Sequence, residues 1–153
     1  MNIAAIVAVA LSATAAVSTP VSTVSVGASV AHPVGLVQPM ADQECTTSAP
    51  HSVRGTKKET RVPALSRWGS YNCYLEDDVE NYNDGTAWLQ WSLNHGEGHK
   101  NVASDGYYGD KTRVAVLKVQ YKYTLALDGV YGPGTGGRMQ WATPDARAVS
   151  KWK

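Results

Sequence analysis

The residue types from which a metal site or a nucleophile could be built are few. His95-Gly96-Glu97-Gly98-His99 is the one tight histidine cluster, and Cys45 and Cys73 are the only thiols. Zinc held on a helix needs His-Glu-x-x-His, which puts both imidazoles and the base on one face. The spacing here differs, two glycines in five residues oppose a helix, and no third ligand is evident, so no metal is expected. Glu80-Asn81-Tyr82-Asn83-Asp84-Gly85 faintly resembles a calcium loop, but Tyr82 stands where an oxygen ligand is required. Without a Cys-x-x-Cys, an even cysteine count in an exported chain reads as a Cys45–Cys73 disulfide, which removes both thiols from catalysis. There is no Gly-x-Ser-x-Gly elbow and no phosphate loop. The acidic run Glu76, Asp77, Asp78, Glu80 and Asp84 lacks apolar neighbours that would raise a carboxyl pKa for general acid work. No cofactor and no catalysis are expected.

Binding chemistry is better represented. The chain has eight Tyr, five Trp and no Phe, so its aromatic area pairs an apolar body with a polar tip. Asp105-Gly106-Tyr107-Tyr108-Gly109-Asp110-Lys111-Thr112 recurs as Asp128-Gly129-Val130-Tyr131-Gly132-Pro133-Gly134-Thr135, both fitting D-G-x-Y-G-x-x-T. Asp supplies an acceptor for backbone N–H groups, and each Gly supplies conformational freedom at a turn that feeds a helix. Asp105 and Asp128 can meet a ligand hydroxyl or amide, although holding their own turns already accounts for them; the same applies to Thr112 and Thr135. Tyr107, Tyr108, Tyr131, Trp91 and Trp141 are candidates for stacking on a ligand. Tyr107 aligns with Val130, a natural core position, which leaves Tyr108 and Tyr131 as the expected surface tips. Gln90 and Gln120 hold equivalent places and can reach a ligand or cap a loop, with the structural role favoured.

The elements that position these groups follow from periodicity. Leu89 and Leu93 predict a helix over 86–94, capped by Asp84 or Thr86 and stopped by Gly96. Ala115, Val116, Val119 and Tyr123 form one stripe of a helix over 112–123, with Lys111, Arg113, Lys118 and Lys122 around it. A third helix is expected over 135–142, ending before Pro144 and weakened at Gly136-Gly137 by about 1 kcal/mol each. Upstream, 61–65 and 71–75 alternate around 66–70 as a hairpin, with Pro63 demoting the first to an edge. Basic Arg54, Lys57, Lys58, Arg61 and Arg67 can neutralise the acidic run if the disulfide folds this arm back.

Charge divides the chain. None of its 14 Lys+Arg and 13 Asp+Glu lies in 1–41. Residues 3–17 form an apolar run of secretory length, short of the roughly 20 residues of a membrane span. Small-x-small cleavage sites occur at Ala13-Thr14-Ala15 and Ser29-Val30-Ala31. A signal ordinarily opens on Lys or Arg, whereas this one opens Met1-Asn2-Ile3, so a start upstream of Met1 is expected. The formal net charge of +1 argues against nucleic acid as a partner.

Leu89-Gln90-x-x-Leu93-Asn94, the first Asp-Gly turn, Ala115-Val116-x-x-Val119-Gln120 and then Leu127-Asp128-Gly129-Val130-Tyr131-Gly132-Pro133-x-Thr135 together resemble the peptidoglycan-binding domain of bacterial cell-wall hydrolases. The resemblance implies a compact three-helix fold that holds peptidoglycan and tethers a separate catalytic domain. Four positions depart from the family pattern: Val119 replaces the usual Phe, Thr86 the usual apolar residue, and Gly136-Gly137 better helix formers. The expected architecture is mainly α: a signal and leader over 1–41, a disulfide-stapled extension over 42–84, the peptidoglycan-binding-like domain over 85–142 and a tail over 143–153. The expected function is a secreted, wall-associated, monomeric and non-catalytic peptidoglycan binder, with a cell-wall hydrolase as the implied partner. Its ligand would lie in a shallow groove between turns and helices, met by Asp105, Tyr108, Arg113, Gln120, Asp128 and Tyr131. Two rivals are a secreted inhibitor or adaptor that uses the basic 54–67 arm, and a small wall hydrolase that uses His95, Glu97 and His99.

Overall fold

The computed structural model describes residues 41–52, 57–146 and 149–151. The expected signal segment, its cleavage sites and Arg54 lie outside the described residues.

Helix α1, Asp84–His95, is capped by Asn83, whose Oδ1 accepts from the N–H groups of Gly85 at 2.8 Å and Thr86 at 3.3 Å. The cap is thus neither Asp84 nor Thr86, and the reason is tertiary. The Asn83 side-chain amide donates to the Cys45 carbonyl at 2.5 Å and its backbone N–H to Gly106 at 2.9 Å, so this residue ties the helix start to two distant segments. Gly96 closes the helix, its N–H returning to the Ser92 carbonyl. Helix α2, Asp110–Lys122, buries Ala115, Val116 and Val119 as its stripe requires, and Tyr123 packs partly buried beside it.

The third helix is shorter than its pattern suggests. Helix α3 runs only Pro133–Gly136 and stops at Gly137; paired glycines make further turns costly. The chain instead extends as a strand, Gln140–Ala142, antiparallel to Val149–Lys151 with Trp141 opposite Ser150. Extension sends Trp141 into the core, where its indole donates to the Gly136 carbonyl at 2.9 Å and meets Tyr131 edge to face at 6.1 Å. The stretch expected as a tail therefore contributes a strand.

The upstream region also pairs differently from the expected hairpin. Strand Thr47–Ser52 lies antiparallel to Glu59–Ala64, in the register Thr47 to Ala64 and Ser52 to Glu59. In chain order the strands are β1 (Thr47–Ser52), β2 (Glu59–Ala64), β3 (Gln140–Ala142) and β4 (Val149–Lys151). Residues 71–75 do not return along β2, because the Cys45–Cys73 disulfide, with Cα atoms 5.0 Å apart, draws them to 43–45. There Cys45 N–H donates to Tyr74 at 2.8 Å and Tyr74 N–H to Gln43 at 3.0 Å. Among the described residues Arg61 of the basic stretch meets Asp84 of the acidic one at 3.8 Å, and Lys58 reaches Asp145 at 2.9 Å. Among the described residues three helices fall within 84–136 and four short strands flank them, so the expected mainly helical architecture holds in part.

One core joins these pieces. Leu89 and Leu93 of α1, Val116 and Val119 of α2, Val62 of β2 and Leu75, Met139 and Trp141 pack with the disulfide. A helical module this small buries a limited core by itself, so the cross-link matters. With its cysteines 28 positions apart in sequence, opening the disulfide removes about 3–4 kcal/mol of unfolding free energy in the chain-entropy treatment. Urea denaturation with and without reductant measures this; a reduced protein within 1 kcal/mol of the oxidised one contradicts it.

Candidate functional site: two locked turns and the groove beside α2

Each Asp-Gly turn is built around one buried glutamine. Gln90, projecting from α1, shares its two Nε2 N–H groups among Asp105 Oδ1 at 3.0 Å, the Tyr107 carbonyl at 2.8 Å and Thr112 Oγ1 at 2.9 Å, while its Oε1 accepts the Gly106 N–H at 2.9 Å. Gln120, projecting from α2, repeats the set: Asp128 Oδ1 at 2.6 Å, the Val130 carbonyl at 2.9 Å, Thr135 Oγ1 at 3.4 Å and the Gly129 N–H at 3.0 Å. Each Asp also accepts the N–H two residues on, from Tyr107 at 3.1 Å and Val130 at 2.8 Å, the local Asx geometry that Asp-Gly sequences favour. Gly106 and Gly129 sit at φ +81 and +73, where a side chain is strained. Space closes the same positions: a Cβ would come within 2.4 Å of the Tyr82 ring at Gly106 and 2.9 Å of Arg113 Cγ at Gly129.

The two turns are tied to each other and to the extension. Leu75 exchanges backbone hydrogen bonds with Tyr131 at 2.9 and 2.8 Å, and Asp78 does so with Tyr108 at 3.0 and 2.8 Å. The Tyr108 hydroxyl crosses to donate to the Gly129 carbonyl at 2.8 Å.

This arrangement overturns the expected exposure of two candidate residues. Tyr108 and Tyr131 are core residues and present no surface tip. In an extended segment neighbouring side chains take opposite faces, and the ladder with 75–78 turns both tyrosines inward and Tyr107 outward. Burial holds both phenols well above the usual tyrosine pKa, with the Asp128 charge adding to the effect at Tyr108. A signal lay in the repeat itself: Tyr stands in both copies, whereas the position before it is Tyr in one and Val in the other. Gln120 is buried with both ends of its amide engaged. Asp105 and Asp128 are exposed but serve their turns, and Arg113 is exposed with its stem across Gly129.

The histidine cluster is dispersed into structural roles. Glu97 has a fully buried side chain that accepts from Lys122 Nζ at 2.7 Å, Tyr123 Oη at 3.0 Å and the Gln140 N–H at 2.6 Å, joining the end of α1 to α2 and β3. The hydrogen bond to Glu97 raises the Lys122 pKa. His95 stacks on Trp91 with ring centroids 3.7 Å apart. His99 has a buried Nε2 without a hydrogen-bond partner among the described residues, and burial followed by the Lys118 charge lowers its pKa. Among the described residues no group of three or more His, Cys, Asp or Glu is placed to hold a metal ion.

An open groove of about 560 Å³ lies between loop 98–102 and the first turns of α2. Val102, Val114 and Ala115 supply its apolar surface, and Lys100, Lys111 and Lys118 supply three ammonium groups beside the single carboxylate of Asp110. Such a groove suits a ligand that combines carboxylates with small apolar groups. Sequence patterning missed it because its walls come from a loop and a helix face that periodicity assigns to solvent.

The two tyrosines provide a test of the turn geometry. Tyr108→Phe removes a satisfied hydrogen bond and should cost about 1 kcal/mol. Tyr131→Phe removes a buried hydroxyl that has no partner among the described residues and should leave stability unchanged or higher. Urea denaturation of both variants checks this, and equal losses contradict it.

Comparison with known proteins places these features. Residues 82–139 match the family model described as "Putative peptidoglycan binding domain". The chain is 51% identical over 43 residues to a "Probable N-acetylmuramoyl-L-alanine amidase" of Bacillus licheniformis, covering 28% of this chain and 12% of that protein. It is 43% identical over 44 residues to N-acetylmuramoyl-L-alanine amidase CwlL of the same organism, covering 29% and 12%. The similarity thus spans about an eighth of the length of these relatives. No solved structure matches the chain. Both glutamine-locked turns fall within residues 82–139, the stretch that matches the peptidoglycan-binding domain model.

Proposed function

We propose that this chain is an exported, non-catalytic protein that binds peptidoglycan through the groove beside α2, with Tyr107 as its aromatic contact. The observation that carries the reading is the groove itself, where three lysines and an apolar surface adjoin turns whose polar groups are already satisfied. Peptidoglycan stem peptides offer carboxylates to the ammonium groups and alanine methyls to Val102 and Val114. Tyr107 takes the stacking role first assigned to Tyr108 and Tyr131, since it is 41% exposed on a locked turn and braced edge to face by Tyr82 at 6.0 Å. Arg113 remains a candidate contact at the other turn. Relatives named as amidases supply the context, and a separate cell-wall hydrolase is the natural partner of a module that localises. Absence of catalysis is supported by the engagement of Glu97 in the fold and by the separate roles of His95 and His99.

Sedimentation with insoluble sacculi tests this. The protein should pellet with the wall at low salt and release progressively as screening rises. Lys111→Glu should weaken binding about tenfold while the unfolding midpoint stays near wild type. Retention in the supernatant at low salt contradicts the reading, and clearing of a wall substrate in a zymogram contradicts its non-catalytic part.

A further inference from the structure

Trp68 is 97% exposed, the most exposed of the large hydrophobic side chains among the described residues. An indole fully in water forfeits its hydrophobic gain, so its presentation calls for a reason. The segment that carries it is braced. Gly69 N–H donates to the Ser66 carbonyl at 3.2 Å, Ser66 Oγ to the Gly69 carbonyl at 2.7 Å and Leu65 N–H to Ser70 at 2.9 Å. Tyr71 packs behind Gly69 and donates from its hydroxyl to the Pro50 carbonyl at 2.8 Å. Gly69 and Ser70 both take positive φ, 104 and 82, a costly conformation for serine that persists only where the surroundings impose it. Three residues beyond lies Cys73, fixed by the disulfide.

Beside this turn a second groove, of about 630 Å³, is lined by Thr47, Pro50, Arg61, Arg67 and Asp84. Asp84 answers Arg61, and Arg61 is also held by Ser48 at 2.8 and 2.9 Å. Arg67 is exposed and has no hydrogen bond or ion pair among the described residues. A solvent-facing indole on a braced turn next to an uncompensated guanidinium is chemistry for a saccharide: the ring stacks on the apolar face of a pyranose, and the guanidinium donates to its hydroxyl and acetamido oxygens.

We propose that Trp68 and Arg67 form a second binding site, for the glycan strand of peptidoglycan. The proposal rests on the wall-binding reading, which supplies a repeating polymer long enough to meet two sites of one chain. The disulfide and the 75–78 ladder fix the turn to the peptidoglycan-binding domain, so a second contact on the same polymer adds avidity through effective concentration.

The test uses the full chain as wild type, Trp68→Ala and Arg67→Glu, with sacculi sedimentation and the indole N–H resonance of Trp68 followed during addition of chitotetraose, a glycan without peptide. The expected result is wild-type sedimentation, about tenfold weaker binding by Trp68→Ala at an unchanged unfolding midpoint, and a saturable shift of the Trp68 resonance. Wild-type sedimentation with undiminished binding by Trp68→Ala, or an indole indifferent to chitotetraose, overturns the glycan site and leaves the wall-binding reading standing. An indole that shifts with phosphatidylglycerol vesicles but not with chitotetraose overturns it in favour of a membrane surface. A wild-type protein that never sediments overturns both.

Discussion

A buried primary amide has two N–H donors and a carbonyl acceptor, and leaving any of them unmet costs more than a single good bond returns. Gln90 and Gln120 meet the requirement by closing on turns that have the complementary shortage, an Asp-Gly segment with an unpaired glycine N–H and a carbonyl facing inward. Each lock fixes a turn, and each fixed turn offers one extended tyrosine whose backbone can pair with 75–78. That pairing, with the disulfide just upstream, decides where the N-terminal strands lie. The lock therefore precedes the other contacts in physical order. Without it the turns have no fixed edge, and the extension has nothing to pair with.

The same accounting separates structure from recognition. Groups consumed inside the turns cannot also read a ligand without breaking the bonds that hold the fold, which is why glutamines and tyrosines that look like a binding set in sequence are framework. Glu97 follows this rule: a carboxylate that seems catalytic beside two histidines is the buried joint between α1, α2 and β3. Side chains left to face outward are long cations around apolar patches, Lys100, Lys111 and Lys118 at one groove and Arg67 at the other. Both patches are braced, one by the second turn of α2 and the other by the Ser66 and Tyr71 hydrogen bonds.

Much of this was legible in sequence wherever the cause is local. The stripe of Ala115, Val116 and Val119, the stop at Gly96, the turns at Asp105-Gly106 and Asp128-Gly129 and the pairing of two lone cysteines all follow from spacing and residue chemistry. The equivalence of Gln90 and Gln120 was visible too, and the structural role it favoured is the one observed. Features set by distant partners were hidden. Tyr108 and Tyr131 point inward because Asp78 and Leu75, well upstream, pair with their backbones. Asn83 wins the cap of α1 because its amide also holds Cys45. The chain after Gly137 becomes β3 because a core slot for Trp141 rewards extension more than two glycines allow a helix. Trp68 and the lysine groove share one difficulty: an exposed residue looks the same in sequence whether it faces solvent or a ligand.

Amide hydrogen exchange at Gly106 and Gly129 tests the glutamine lock most directly. If these N–H groups are bonded to buried side-chain carbonyls and their turns open only with the whole domain, both exchange with the free energy of global unfolding, as slowly as the centre of α2. Exchange at either glycine that is orders of magnitude faster than at Val116 or Val119 would show turns that open independently, and would contradict the account.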